Sequence, residues 1–324
     1  MSHAERMARL AEIHAAYEGD ALLTDTARFF PAPPKVELSL RRVRPGVWDA
    51  SWPSAFEPFL AAVAERYLAR VENRTARARF FLANPAEAAS PSARPAVIAI
   101  HGYMGGQWLL EESAWPVDWL VRRGLDVVLP VLPLHAARAG ARRGPPAFPS
   151  TDPRLTNEGF RQAVTDLRTL VGWLRERGAP HVGVMGMSLG GYTSALMATV
   201  TSEIDFVMPM IPLASIADFA REHGHLGEGD EAHEQHVALE RANGVVSPLA
   251  RALKLPTSRA LVVGAEYDRV TPVSHAKRIA DHFGCEMQMF GGGHVLQLGR
   301  SGAFRALESM LEREGIVATR HSRL

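Results

Sequence analysis

The sequence predicts an α/β protein, a mostly parallel sheet covered by helices on both faces, and three observations carry that expectation. From residue 96 onward, short and almost wholly apolar runs alternate with longer segments of helical periodicity, the pattern of strands buried on both faces. The pentapeptide Gly186-Met187-Ser188-Leu189-Gly190 lies between one such apolar run and a helical one, as a sharp strand-to-helix turn would. Later apolar runs end in Gly264-Ala265-Glu266-Tyr267-Asp268 and Gly291-Gly292-Gly293-His294, so chemistry-bearing residues collect at strand ends.

Taken in order, residues 1–30 read as one or two amphipathic helices carrying Leu10, Ile13, Tyr17, Leu22 and Leu23. Residues 36–43 alternate as an exposed strand does, 56–71 have helical periodicity, and 76–82 read as another strand. The Pro/Ala/Ser stretch 84–95 reads as a surface loop. Strands are then expected at 96–100, 125–132, 181–185, 206–211, 260–263 and 286–290. Helices are expected at 111–123, 157–177, 192–200, 273–283 and 303–314. Two long segments break this rhythm, 133–156 and 215–255. Both leave from strand carboxyl ends, where open parallel sheets bind ligands, and they read as the wall and the cap of a pocket. The chain thus divides into an N-terminal helical extension with the first strand (1–75), a core (76–214 and 256–324) and a cap insertion (215–255).

Bulk properties narrow the function. The chain has 324 residues, is 47% hydrophobic, and carries a formal net charge of +1, which excludes an electrostatically driven nucleic-acid binder. Of its 36 basic residues only Lys35, Lys254 and Lys277 are lysines, a bias that reads as genomic composition. With Cys285 as the sole cysteine, neither an intrachain disulfide nor a multi-cysteine metal site is possible. The N-terminus lacks the apolar stretch of a secretory signal, and no apolar run approaches the ~18 residues of a membrane span. The expectation is a soluble, cytoplasmic protein, with homo-oligomerisation left open.

The candidate chemistry starts at Ser188. A serine on such a turn sits on strained backbone with its hydroxyl projecting above the sheet edge, and Gly186 and Gly190 keep side chains out of the crowded turn. Before it, His101-Gly102-Tyr103-Met104-Gly105-Gly106 follows the 96–100 strand. That turn can aim the N–H of Tyr103 or of Met104 at a developing oxyanion, with the Leu189 N–H at the helix start as second donor. Read alone it is a simple glycine turn. After it, Asp268 ends a strand and can hold a histidine in one tautomer; a helix cap or an ion pair with Arg269 is its plainer use, and Glu266 is the competing acid. His294 is the first histidine after the last strand, on a glycine-rich loop that lets it act as base and then acid.

In the order nucleophile, acid, base, and on the pieces HGYMGG, GMSLGG, GAEYDRVTP and GGGH, residues 76–316 resemble the α/β-hydrolase superfamily, its serine esterases, lipases and peptidases in particular. The resemblance implies an eight-stranded, mostly parallel sheet with antiparallel early strands. It implies Ser188 as nucleophile, His294 as base, Asp268 as acid, and Tyr103 and Leu189 as oxyanion donors, with His101, Gly102, Gly186 and Gly190 as motif support. It further implies a small-molecule acyl substrate and no metal or organic cofactor. Carboxylic ester hydrolysis through an acyl-enzyme is the leading expectation. An acyltransferase, thioesterase or peptidase would use the same triad, and a silent binding module would usually lack one of its members.

His233 and His236 share a helix face in the cap and could hold a metal, but no H-E-x-x-H spacing is present. Arg138, Arg142 and Arg143 could bind an anionic substrate, with a solvated loop as the simpler reading. Trp115, Trp119 and Trp173 read as helix packing, and Cys285 as a small core residue.

Overall fold

The structure, a computed structural model, describes residues 1–82, 94–141 and 144–319. The organising element is one nine-stranded sheet: β1 (Ser39–Arg44), β2 (Val47–Pro53), β3 (Thr75–Phe81), β4 (Ala96–Ile100), β5 (Asp126–Pro130), β6 (Val182–Met187), β7 (Phe206–Met210), β8 (Leu261–Ala265) and β9 (Glu286–Phe290). Its spatial order is β1-β2-β3-β5-β4-β6-β7-β8-β9. The first three strands and the β3–β5 pair are antiparallel, and every pair from β5 across to β9 is parallel.

Nine strands correct the eight expected. The extra one is β2, whose sequence VWDASWP mixes Asp49, Ser51 and Pro53 among its apolar residues and so lacks the unbroken run that marks the central strands. It forms as the return arm of a hairpin turned at Gly46, where φ is +75°, and it pairs with both β1 and β3.

The helices are α1 (His3–Ala16), α2 (Ala21–Thr24), α3 (Thr26–Phe29), α4 (Ala61–Leu68), α5 (Trp108–Ala114), α6 (Val117–Arg122), α7 (Pro153–Glu176), α8 (Leu189–Val200), α9 (Ile216–Glu222), α10 (Gly229–Ala242), α11 (Val273–Phe283) and α12 (Ser301–Arg313). The single helix expected over 111–123 is two, because Pro116 has no N–H to continue the ladder. α7 starts earlier than expected: Pro153 suits the first turn, and the Asp152 side chain accepts the Arg154 N–H. Residues 83–93, most of the loop expected at 84–95, lie outside the described residues.

Alternation along β4 shows how the layers form. Ile98 and Ile100 enter one core cluster with α1, α7 and α8, whereas Val97 and Ala99 enter a second with α6 and α12. Trp115 is buried in the second cluster, Trp119 packs on Phe304, and Trp173 lies edge-on to Phe80, all as packing residues. Among the described residues no helix is long and apolar enough to cross a membrane.

The insertion 215–255 folds as α9, α10 and a following loop. It is fastened on three sides. Arg6 of α1 donates to Gln235 at 2.6 Å, Asn157 of α7 to the Ala242 carbonyl at 2.9 Å, and Arg278 of α11 pairs with Asp218. Arg251 closes the loop by donating to the Leu22 carbonyl at 3.0 Å.

Candidate active site

Ser188 occupies the turn between β6 and α8 with φ +55° and ψ −113°, a region that a side chain-bearing residue enters only under constraint, at roughly 1–3 kcal/mol. The constraint is visible. The Ser188 N–H donates to the Met210 carbonyl of β7 at 3.0 Å, and the Tyr192 N–H returns to the Ser188 carbonyl at 2.9 Å. Glycines make the approach possible: a Cβ on Gly186 would stand 2.1 Å from the Gly190 carbonyl oxygen, and one on Gly190 2.1 Å from that of Ile100. Turn and helix therefore lie against the backbone of β4, which brings the two loops together. A Cβ on Gly102 would be 3.5 Å from Ser188 Cβ.

Asp268 and His294 meet at the ends of β8 and β9. His294 Nδ1 lies 2.8 Å from Asp268 Oδ2, which leaves Nε2 as the outward nitrogen. Asp268 has a fully buried side chain, and its Oδ1 accepts the N–H groups of Val270 (2.8 Å) and Thr271 (2.9 Å). Burial alone would raise its pKa, but the His294 contact and these N–H donors outweigh it and hold the carboxyl below its ordinary value. The Thr271 hydroxyl is within reach of Asp268 Oδ2 (3.1 Å) and of the Ile211 carbonyl (3.0 Å), tying the acid to the end of β7. Gln297 Nε2 reaches both the His294 carbonyl (3.2 Å) and Met187 Sδ (3.5 Å), which anchors the histidine loop beside the serine turn. Among the described residues Ser188 Oγ makes no hydrogen bond; the serine turn and the histidine loop are linked through Met187 Sδ and Gln297 Nε2.

The turn after β4 is closed by the Gly105 N–H donating to the Gly102 carbonyl at 3.1 Å, with Met104 at φ +69°. Neither the Tyr103 nor the Leu189 N–H has a backbone partner among the described residues, and Leu189 is the first residue of α8, where donors are left over. His101 does not face substrate. It is buried: its Nε2 accepts the Leu132 N–H at 3.0 Å, so Nδ1 carries the proton and donates to the Gly102 carbonyl at 2.7 Å. Burial, with help from nearby His135, pushes the His101 pKa down to about 3 and keeps the ring neutral. Glu111 accepts the Gly106 N–H at 2.8 Å and fixes the far side of the turn; burial raises its pKa.

The structure thus sets Gly102 against Ser188 and joins Asp268 to His294, with Gln297 and Met187 linking the two loops. Glu266 is exposed and apart from the pair, close to Gly291 instead. Arg138 is not in a solvated loop: it is buried, 2.9 Å from Asp166, and donates to the Val131 and Asn73 carbonyls, because its loop folds back under β5. Arg142 and Arg143 lie outside the described residues. His233 is exposed while His236 turns inward to Asp218 at 2.7 Å, so the two do not converge on a shared ligand. Burial pushes the Cys285 thiol up to about 11, consistent with a packing role. Sequence reasoning missed Thr271 and Glu111; the Asp268–Thr271 spacing, which suits a side chain-capped turn, was the available signal for the first.

The sheet order, the strained serine between β6 and α8 and the covering helices define the α/β-hydrolase fold. Solved structures with it include acetyl xylan esterases from a Paenibacillus species (TM-score 0.59, 16% identity, 90% of this chain and 94% of that one) and from a Thermoanaerobacterium species (0.58, 18%, 89% and 92%). A puromycin-hydrolyzing peptidase of Mycobacterium tuberculosis is similar over 76% of this chain and 38% of its own (TM-score 0.53, 18% identity). In sequence, the chain is 27% identical over 300 residues to an uncharacterized protein of Mycobacterium tuberculosis, covering 89% of this chain and 70% of that protein. No family model matches.

Proposed function

We propose that the chain is a serine hydrolase that cleaves carboxylic esters through an acyl-enzyme. The observation that carries this reading is the buried Asp268, held ionised and bonded to His294 Nδ1 at 2.8 Å, beside a serine at φ +55°. Ser188 Oγ attacks the acyl carbon while His294 Nε2 takes its proton, and Asp268 stabilises the imidazolium so formed. The carbonyl oxygen becomes an oxyanion that accepts from the Tyr103 and Leu189 N–H groups. Collapse expels the alcohol, which takes the proton from His294. Water, deprotonated by the same nitrogen, then releases the acid and restores Ser188. These steps need neither metal nor organic cofactor. Fold neighbours named as esterases support the ester reading over amide cleavage, for which one neighbour is named.

The test is labelling with a fluorophosphonate together with turnover of p-nitrophenyl acetate. Wild-type protein is expected to label and turn over, and Ser188→Ala to do neither while its thermal melt stays within about 2 °C, since surface-level side-chain changes rarely exceed ~0.5 kcal/mol. Labelling that survives Ser188→Ala overturns the assignment.

A further inference from the structure

Ile211 follows the last residue of β7 at φ +40°, a backbone region that a β-branched residue enters only when its surroundings force it there. The contacts that hold it can be read atom by atom. The peptide group between Met210 and Ile211 accepts the Ser188 N–H through its carbonyl (3.0 Å) and donates through its N–H to the Val263 carbonyl of β8 (2.7 Å). The next carbonyl, that of Ile211, accepts from the Thr271 hydroxyl at 3.0 Å. Two successive peptide groups thus hold the serine turn on one side and the Asp268 turn on the other. The seam they close is thin: among the described residues β7 and β8 register at Met210–Val263 and at the isolated Val207–Ala260 bridge.

Counting protons assigns the hydroxyl its role. Thr271 is buried, and its single hydroxyl proton has two acceptors within reach, the Ile211 carbonyl and Asp268 Oδ2 at 3.1 Å. Asp268 already accepts the Val270 and Thr271 N–H groups and the His294 Nδ1–H. Ile211 is buried, its carbonyl has no other donor among the described residues, and a buried acceptor left bare is costly. The proton therefore belongs to Ile211, and a lone pair of Oγ1 is left for His294 Nδ1, 3.2 Å away. We propose that Thr271 is a positioning residue: its hydroxyl, anchored on the strained end of β7, shares the Nδ1 proton of His294 with Asp268 and holds the acid–base pair in register with Ser188. This role rests on the serine-hydrolase reading. It exceeds that of a turn cap, which needs only the Thr271 N–H on Asp268 Oδ1, a bond that valine would keep.

The experiment compares wild type, Thr271→Val and Thr271→Ser in steady-state turnover of p-nitrophenyl acetate and in the rate of fluorophosphonate labelling. Thr271→Val, nearly isosteric, is expected to lower kcat and the labelling rate roughly tenfold, the worth of one hydrogen bond, with KM within about twofold. Thr271→Ser restores the hydroxyl and is expected to recover most of that loss. Proton NMR of wild type gives a readout that requires no variant to fold: the Nδ1 proton of His294 should appear downfield and cross-relax with a slowly exchanging hydroxyl proton. Wild-type kcat in Thr271→Val, a Thr271→Ser protein as slow as the valine variant, or an Nδ1 proton without a hydroxyl neighbour overturns the proposal. A wild-type chain that neither labels nor turns over, yet shows the paired protons, overturns the hydrolase reading and leaves the Thr271 tie standing.

Discussion

Gly190→Ala tests the packing that brings the serine turn to β4. The added Cβ would lie 2.1 Å from the Ile100 carbonyl oxygen and 2.6 Å from that of His101, where ordinary contact begins near 3.4 Å. Both neighbours are backbone, so no side chain can swing away, and α8 and β4 must part by roughly 1 Å, placing the change at the upper end of overpacking, about 3 kcal/mol. For a chain of this length, whose unfolding entropy is roughly 0.7 kcal/mol/K, that is a fall in melting temperature of about 4 °C. The same separation pulls Leu189, at the start of α8, away from Tyr103, beyond the end of β4. A displacement of about 1 Å is expected to lower kcat for p-nitrophenyl acetate by roughly 10²-fold. Gly172→Ala is the control: within α7, a Cβ there meets nothing within 4 Å, and the variant should be neutral or up to ~1 kcal/mol more stable. A Gly190→Ala protein that melts with wild type and keeps its kcat would refute this account of the turn.

Two further predictions follow from the electrostatics. Asp268→Asn should lower kcat by roughly 10⁴-fold, as for acids that fix a histidine tautomer, whereas Glu266→Gln should leave it within a few-fold; the reverse result in paired steady-state assays would move the acid to Glu266. His101 and His135 are buried neutral, with burial pushing them down to about 3 and about 4. The unfolded chain binds protons that the fold refuses, so their contribution is complete above about pH 6.5 and drains as pH falls toward 4, at up to ~1.4 kcal/mol per unit for each ring. Glu158 and Asp166, raised by burial, run in the opposite direction, so the readout is a difference between proteins. His135→Gln should melt progressively closer to wild type, or above it, as the buffer goes from pH 7 to 4.5. A melting difference independent of pH would sink the argument.

The parts of the fold most legible in the sequence are those where one physical requirement dominates. β4, β6, β7 and β8 are buried on both faces, so their residues form unbroken apolar runs, and Gly186 and Gly190 are demanded by backbone approaches that any Cβ would block. β2 was illegible because each face sees a different environment and its pairing depends on β1 and β3, not on its own pattern. Arg138 misled for a similar reason: among glycines, prolines and arginines it looks like a solvated loop residue, and only its buried partner Asp166 on α7 reveals a strut. At the site, the residue types that do chemistry were readable from order and position. The residues that hold them were harder to read: Thr271 under Asp268 and Glu111 beneath the Gly106 turn act within their own short turns, where many side chains could serve, and Leu132 on His101 acts across 31 positions of the chain.

The fastening of α1 to α10 has a consequence for how the chain is made. His3 bonds Glu234 and Arg6 bonds Gln235, partners 231 and 229 residues further along. At synthesis rates of ~5–20 residues per second, α1 waits roughly 10–50 s before its partner has been polymerised. During that interval its apolar stripe of Leu10 and Ile13 lacks the surface it later meets, while its capping box at Ser2 and Glu5 favours the helix from the outset. α1 is thus synthesised long before it docks, and the nascent chain carries it as an exposed amphipathic helix until the insertion arrives.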